Sequence, residues 1–168
     1  MKITILVALA FAPLVGCATG YQTSRHFTGG FDEVALAPNV YRVRFRGNGY
    51  TSGTRAEDFA LLRSADLTLQ KGFHFFALSD SSSKESVSSF ATPSVSTTTA
   101  NFQAYGNSAY GTAQTTTTGG QTIYVSKPSS SNVVVMFAEK PTLNGMVFDA
   151  AFICQSLGTK YKTACGTK

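Results

Sequence analysis

Charge is what this sequence has least of. Asp, Glu, Lys and Arg together make up 14% of the chain, against about 25% in a typical globular domain. Tryptophan is absent, and the three cysteines are too few for a disulfide scaffold. Fourteen basic residues against nine acidic ones give +5 and a pI near 9.2. They form no run of Lys or Arg, which excludes a nucleic-acid footprint and leaves no nucleic acid among the expected partners. No apolar stretch reaches the about 20 residues that a membrane-spanning helix takes. What is there is uncharged polarity and aromatic area. With 13 Phe and 7 Tyr the chain can build a core, which excludes disorder throughout, and 168 residues suit one domain.

The longest apolar stretch lies at the start. Lys2 precedes Ile3 to Val15, and Leu14-Val15-Gly16-Cys17 follows as a small-residue exit. This stretch is too short to span a bilayer as a helix and has the layout of a signal peptide over residues 1–16. Its last four residues resemble the bacterial lipobox, in which the cysteine thiol receives a diacylglyceryl group and the amine freed by cleavage is acylated. The resemblance implies Cys17 as the lipidated residue, with the membrane as a partner through that lipid. Ala18 follows it instead of Asp, which by the same resemblance leans towards the outer membrane, periplasmic face. The alternative is a secreted protein with a cysteine at its cleavage site. Residues 17–30 are polar, Gly-containing and aperiodic, as a lipid-proximal tether would be, and His26 reads as an exposed tether residue.

The ordered domain is expected over residues 31–168. Tyr41 to Arg46 alternates strictly, so Tyr41, Val43 and Phe45 face one side and Arg42, Arg44 and Arg46 the other. Three guanidiniums about 6.6 Å apart along a strand form a ladder able to grip phosphate, carboxylate or glycan. The alternative is a solvated sheet face whose charges are paired with Glu and Asp. After the turn-rich Gly47 to Gly53, Thr54-Arg55-Ala56-Glu57 fits a T-x-x-E capping box. A helix should run from there to Lys71 and stop at Gly72. Leu61, Leu62, Ala65 and Leu69 form one stripe, and Ala56, Phe59, Ala60 and Leu67 lie opposite. That helix is therefore expected to contact the sheet on one side and another element on the other. Phe73 to Ser79 reads as a buried strand with His74 as a core or edge histidine.

Strand, glycine loop, helix and a strand ending at Asp80 mimic a dinucleotide-binding unit. The third glycine, Gly53, comes four residues after Gly49 instead of three, and Asp80 lies 31 residues beyond Gly49 instead of about 20. No cofactor is expected. The lipobox Cys17 with Gly20-Tyr21, then Leu36 to Asn39, Phe45-Arg46-Gly47-Asn48-Gly49-Tyr50-Thr51-Ser52 and Arg55 to Ala65, resembles an uncharacterised family of small proteobacterial envelope lipoproteins. The match covers residues 17 to about 80 and the remainder only loosely. The resemblance implies an envelope lipoprotein with an α+β domain; it carries no activity, and no functional residue beyond Cys17.

From Ser79 to Ser131, 24 of 53 residues are Ser or Thr. Ser79 to Ser89 has the composition of a mobile loop. Val95 to Tyr105 and Tyr110 to Thr118 are Thr-rich and favour a long hairpin, so 79–120 reads as a Ser/Thr-rich hairpin or loop. Gln121 to Ser126 and Asn132 to Glu139 read as two strands joined across Lys127 to Ser131. A last helix is expected from Asn144 or Gly145 to Gly158, with Val147, Ala150, Ala151, Cys154 and Leu157 as its stripe. In an oxidising compartment Cys154 and Cys165 would form a disulfide tying the tail to that helix. A metal there would need further ligands, and none lies nearby in sequence.

No G-x-S-x-G elbow surrounds Ser52 or any other serine, and neither histidine has a recognisable partner in sequence. Asp58 and Asp66 read as solvated or salt-bridged. The expected architecture is α+β: a two-layer sandwich of a mostly antiparallel four- to six-stranded sheet with two helices on one face. The expected function is a lipid-anchored, non-enzymatic binding or structural envelope module. Its Arg face or its hairpin would engage an envelope protein or an anionic glycan or lipid. The alternative is a minor envelope hydrolase acting on cell-wall or lipid material, which requires a pocket lined by His74 or Ser52 together with a carboxylate.

Overall fold

A computed structural model describes residues 17–25 and 28–166; the expected signal peptide and His26 lie outside the described residues. The chain runs β1 (Gly30–Ala37), β2 (Val40–Arg46), α1 (Gly53–Gln70), β3 (Phe75–Ala91), β4 (Ser94–Tyr105), β5 (Ser108–Gly119), β6 (Thr122–Phe137), β7 (Val147–Asp149) and α2 (Ala150–Tyr161). Five strands form one antiparallel sheet in the order β1-β2-β6-β3-β7. Two helices accompany it, so the protein is α+β as its sequence suggests.

The alternation in β2 is realised in full: Val43 and Phe45 are completely buried while the three arginines point outward. Register places Val43 opposite Asn132 and Phe76 opposite Met136. One sheet face thus presents Val43, Phe45, Phe76, Val134 and Met136 to α1, whose Phe59, Ala60, Leu62 and Ala65 complete the core. α2 packs along α1, giving that helix its second contact side. Asp58 joins the two helices, accepting from Lys160 Nζ and from the Tyr161 hydroxyl at 2.7 Å each. The Phe59 ring lies 5.1 Å from Phe45 and 4.7 Å from Tyr161.

Several boundaries differ from the sequence reading, each for a physical reason. The N-cap lies two residues before the Thr of the T-x-x-E box, at Ser52, whose Oγ accepts from the Arg55 N–H at 3.2 Å, so the helix begins at Gly53. It ends at Gln70 with Lys71 as its C-cap, and Gly72 at φ +84° makes the stop that suits glycine. His74 is exposed, just ahead of β3; it joins the sheet only through its backbone, which bonds Phe137 O and Ala150 N at 3.0 Å. α2 starts later than expected, at Ala150, because Asp149 caps it by accepting from the Phe152 N–H at 3.0 Å. Gly158 lies inside the helix, where the tail crosses so closely that an added Cβ would sit 3.0 Å from Thr163 O. The Cys154–Cys165 disulfide is formed, with Cα atoms 5.4 Å apart.

The largest difference is in the Ser/Thr block. Ser79 to Ser89 is strand, and the expected break at Lys127 to Ser131 is the middle of β6. β3 and β6 pair continuously from Phe75↔Phe137 to Ala91↔Thr122, with one bulge near Ser79. Pro128 is tolerated because its carbonyl accepts from Gly47 N–H at 2.8 Å. Its nitrogen therefore points to the β2 side, where that strand has already ended, and no bond to β3 is lost. The β4–β5 hairpin continues the same ribbon, turning at Gly106-Asn107 with Gly106 at φ +58°.

Candidate functional site: a basic sheet face beside Cys17

Residues 17–25, expected as a tether, lie against the domain. Thr19 is 3% exposed, and the Tyr21 ring sits 4.8 Å from Phe31 and 5.7 Å from Phe59. The Tyr21 hydroxyl donates to Asp66 Oδ2 at 2.8 Å. Asp66 also receives Arg63 at 2.8 Å, Gln70 at 3.1 Å and the Gly166 N–H at 2.9 Å. Arg63 reaches on to Glu33 on β1 at 2.7 Å. One buried carboxylate thus ties the N-terminal segment, α1 and the tail together. Burial, and then the charge of Asp66, push the Tyr21 hydroxyl far above its ordinary pKa.

Just ahead of Tyr21, the Asn48-Gly49-Tyr50-Thr51 turn holds the chain beside Cys17. Asn48 Nδ2 donates to Cys17 O at 2.9 Å, Asn48 N–H to Thr19 Oγ1 at 3.0 Å, and Thr19 N–H to Thr51 Oγ1 at 3.1 Å. Asn48 Oδ1 in turn accepts from the Tyr50 N–H at 3.1 Å and from the Thr51 hydroxyl at 3.0 Å. Gly47 approaches Thr51 so closely that a Cβ would stand 2.6 Å from Thr51 Cβ. Cys17 itself is exposed.

The sheet face away from the helices is open. Strand register brings Arg42, Arg44, Arg46 and Lys84 onto it together with Asp32 and Asp80. Asp32 takes Arg44 in a bidentate grip, 3.2 Å from Nε and 2.8 Å from Nη2. That hydrogen bond, and then the carboxylate charge, raise the Arg44 pKa further. Arg46 is 3.6 Å from the same aspartate and 3.0 Å from Ser24 Oγ. Among the described residues Arg42 has no ion pair. The ladder is therefore real in geometry but partly neutralised: Asp32 is shared between Arg44 and Arg46, and Arg42 stands at the other end without an ion pair among the described residues.

At the Arg46 end lies a cavity of about 480 Å³ lined by Ser24, Arg25, Gly29, Asp32, Arg46, Gly47, Asn48 and Lys127. Three cations and one carboxylate share it, and Asn48 links it to Cys17. Such a concavity suits an oxyanion, since Arg and Lys supply charge-assisted donors without the geometry of a nucleophile and its base. Arg46 was legible in sequence. Arg25 was hidden in the supposed tether, and Lys127 in the supposed connection between strands. Only the Asn-Gly-Tyr-Thr turn gave a local signal, and what it holds could not be read from it. Elsewhere, a cavity of about 360 Å³ between α1 and β3 contains Glu57, Asp58 and serines 81 to 83. His74 and Ser52 line neither cavity, and Ser52 Oγ is committed to its cap. Among the described residues no three His, Cys, Asp or Glu side chains converge as for a metal.

The fold and this face define an α+β domain with a basic open sheet face and a long protruding β-ribbon. No family model, no curated protein and no solved structure matches the chain.

Proposed function

We propose that the chain is a lipid-anchored envelope protein, held by acylated Cys17 on the periplasmic face of the outer membrane, that binds rather than transforms its partner. The basic cavity is its binding site and an anionic group, phosphate or carboxylate, its ligand. The carrying observation is the 2.9 Å bond from Asn48 to Cys17 O, because Asn48 also lines the cavity with Arg25, Arg46 and Lys127. An acyl chain on Cys17 would set those cations at the membrane surface, where basic residues contribute about 1 kcal/mol each towards anionic headgroups.

The test is flotation of the Cys17→Ala chain, which has no acyl site, with vesicles of phosphatidylethanolamine with and without phosphatidylglycerol. Binding is expected only to the anionic vesicles. Replacing Arg46 and Lys127 by Gln should weaken it by roughly thirtyfold, the equivalent of two charges at about 1 kcal/mol each. Equal binding by the double variant would remove the cavity from the account, and anion-dependent binding to phosphorylated glycan instead of vesicles would identify the other source of the same chemistry.

A further inference from the structure

The far ends of β3 and β6, from Ser86 and Ser126 outward, continue into β4–β5 as a ribbon that contributes no residue to the core. Both faces of β4 and β5 are exposed along their whole length, and among the described residues these two strands pair only with each other. From Ser86 to Ser126 there is no charged side chain. Soluble proteins protect free strand edges with charges, bulges or covering elements. Here two 12-residue edges are left bare, with their backbone donors and acceptors aligned for further pairing.

The ribbon also has a direction. β2 accompanies β6 as far as Arg46↔Ser129; beyond it Gly47 bonds Pro128 O, and Gly49 lies against Val125. The ribbon thus leaves the sheet at the end where Asn48 holds Cys17. From Ser86 to the Gly106 turn it reaches about 65 Å at 3.3 Å per residue, well over the about 30 Å of a bilayer's hydrocarbon. Basic residues stand at its base, with Lys84 opposite Ser129 and Lys127 in the cavity with Arg46. Tyr105 and Tyr110 stand exposed at its tip.

Its two faces are unlike. Register puts Ala100 opposite Ala113, Phe102 opposite Gly111 and Ala104 opposite Ala109 on one face. The Phe102 ring covers Gly111, leaving no room there for a Cβ. Towards the base that face carries hydroxyls, and these bond each other across the strands: Ser96 to Thr117 at 2.8 Å and Thr98 to Thr115 at 2.9 Å. Asn101, Gln103 and Gln114, the amides of β4 and β5, all lie on the opposite face. In the stretch from Ala100 to Ala104 apolar positions thus alternate with amides, while the amide face also carries threonines, Val95 near the base and Tyr105 and Tyr110 at the tip; the strands are close to the about 9–11 residues of a tilted membrane strand.

We infer that the β4–β5 hairpin is a stave of a transmembrane β-barrel built from several copies of this chain, with the Ala100–Phe102–Ala104 face towards lipid and the Asn101–Gln103 face towards the lumen. A lone hairpin in lipid would leave its edge groups unsatisfied, so neighbours are obligatory. With hairpins inserted in one sense, the free edge of β5 meets the free edge of the next copy's β4 antiparallel. Such a repeated heterologous contact closes into a ring with an even strand number. The orientation of the ribbon towards the membrane rests on Cys17 as the anchor; the alternation of its faces does not.

The experiment uses the full chain, produced with its leader in a Gram-negative host and reconstituted into vesicles of phosphatidylethanolamine and phosphatidylglycerol that contain nitroxide-labelled acyl chains. Single cysteines replace Ala100, Asn101, Phe102 or Gln103 and carry a polarity-sensitive fluorophore. Quenching by lipid at positions 100 and 102, with little at 101 and 103, is the expected result. Quenching at none of the four, or equally at all four, overturns the stave, and so does hairpin-to-hairpin pairing of copies without quenching. Ala100→Arg should abolish quenching at 102 and dye release from loaded vesicles, whereas Asn101→Arg should preserve both; the reverse order also overturns it. The parent chain without an added cysteine serves as control: fluorophore uptake there reports an unacylated Cys17, so failure of the anchor is read apart from failure of insertion.

Discussion

Asp66 ties distant parts of the chain through one buried carboxylate. It is 5% exposed and bonds four groups from three parts of the chain: Tyr21 of the N-terminal segment, Arg63 and Gln70 of its own helix, and Gly166 of the tail. Removing it leaves Arg63, itself 8% exposed, with only Glu33, so Asp66→Ala should cost about 3 kcal/mol in urea unfolding; a loss under about 1 kcal/mol would place it with ordinary surface pairs. Tyr21 sets an alkaline limit on the same cluster. Its pKa is raised in the folded state, so its contribution is complete below pH about 10, where the unfolded tyrosine begins to ionise, and declines as pH rises further. The urea midpoint of the parent chain should therefore fall more steeply above pH about 10 than that of Tyr21→Phe, and parallel curves would contradict this. At this scale the sequence was partly legible. Alternation in Tyr41 to Arg46 reveals which residues face inward, and Cys154 and Cys165, the two cysteines besides Cys17, pair as their sequence suggests. Asp66 was not legible as a hub, since its partners Tyr21 and Gly166 lie 45 and 100 residues away.

Elements were read well where period was strong and poorly where composition imitated a loop. α1 has apolar residues on two sides, and both contacts exist. β3 and β6 each run through a serine-rich stretch because the ladder, not side-chain preference, holds them there, and serine offers no periodic signal to reveal it. Proline misled in the same way: Pro128 reads as a break unless the neighbouring strand is known to stop beside it. The last helix starts later than its apolar stripe suggests because Val147–Asp149 pair with β3 as β7, a contact between distant parts of the chain that the stripe does not show. The disulfide from that helix to the tail closes a short loop, worth about 3 kcal/mol. Cys165→Ser should lower the urea stability by about that amount and make it indifferent to reductant, and an unchanged midpoint would show that the tail is held by Asp66 and Gly166 alone.

At the scale of the whole molecule, the parts have one arrangement. The docked N-terminal segment, the basic cavity and the root of the ribbon lie at the same end of the sheet, while the helices cover the face opposite the arginines. Low charge thus acquires a location: it is concentrated in a ribbon that leaves the domain beside Cys17, and the cations stand at the ribbon's base. This arrangement has meaning for an envelope protein only if Cys17 is the point of attachment. The most direct measurement is incorporation of labelled palmitate into the chain and into Cys17→Ala in a Gram-negative host, with each followed by membrane flotation. Label on the parent chain, its loss in the variant, and flotation of the parent with outer-membrane vesicles are the predicted results. A parent chain without label, or a variant that keeps it, would contradict the account.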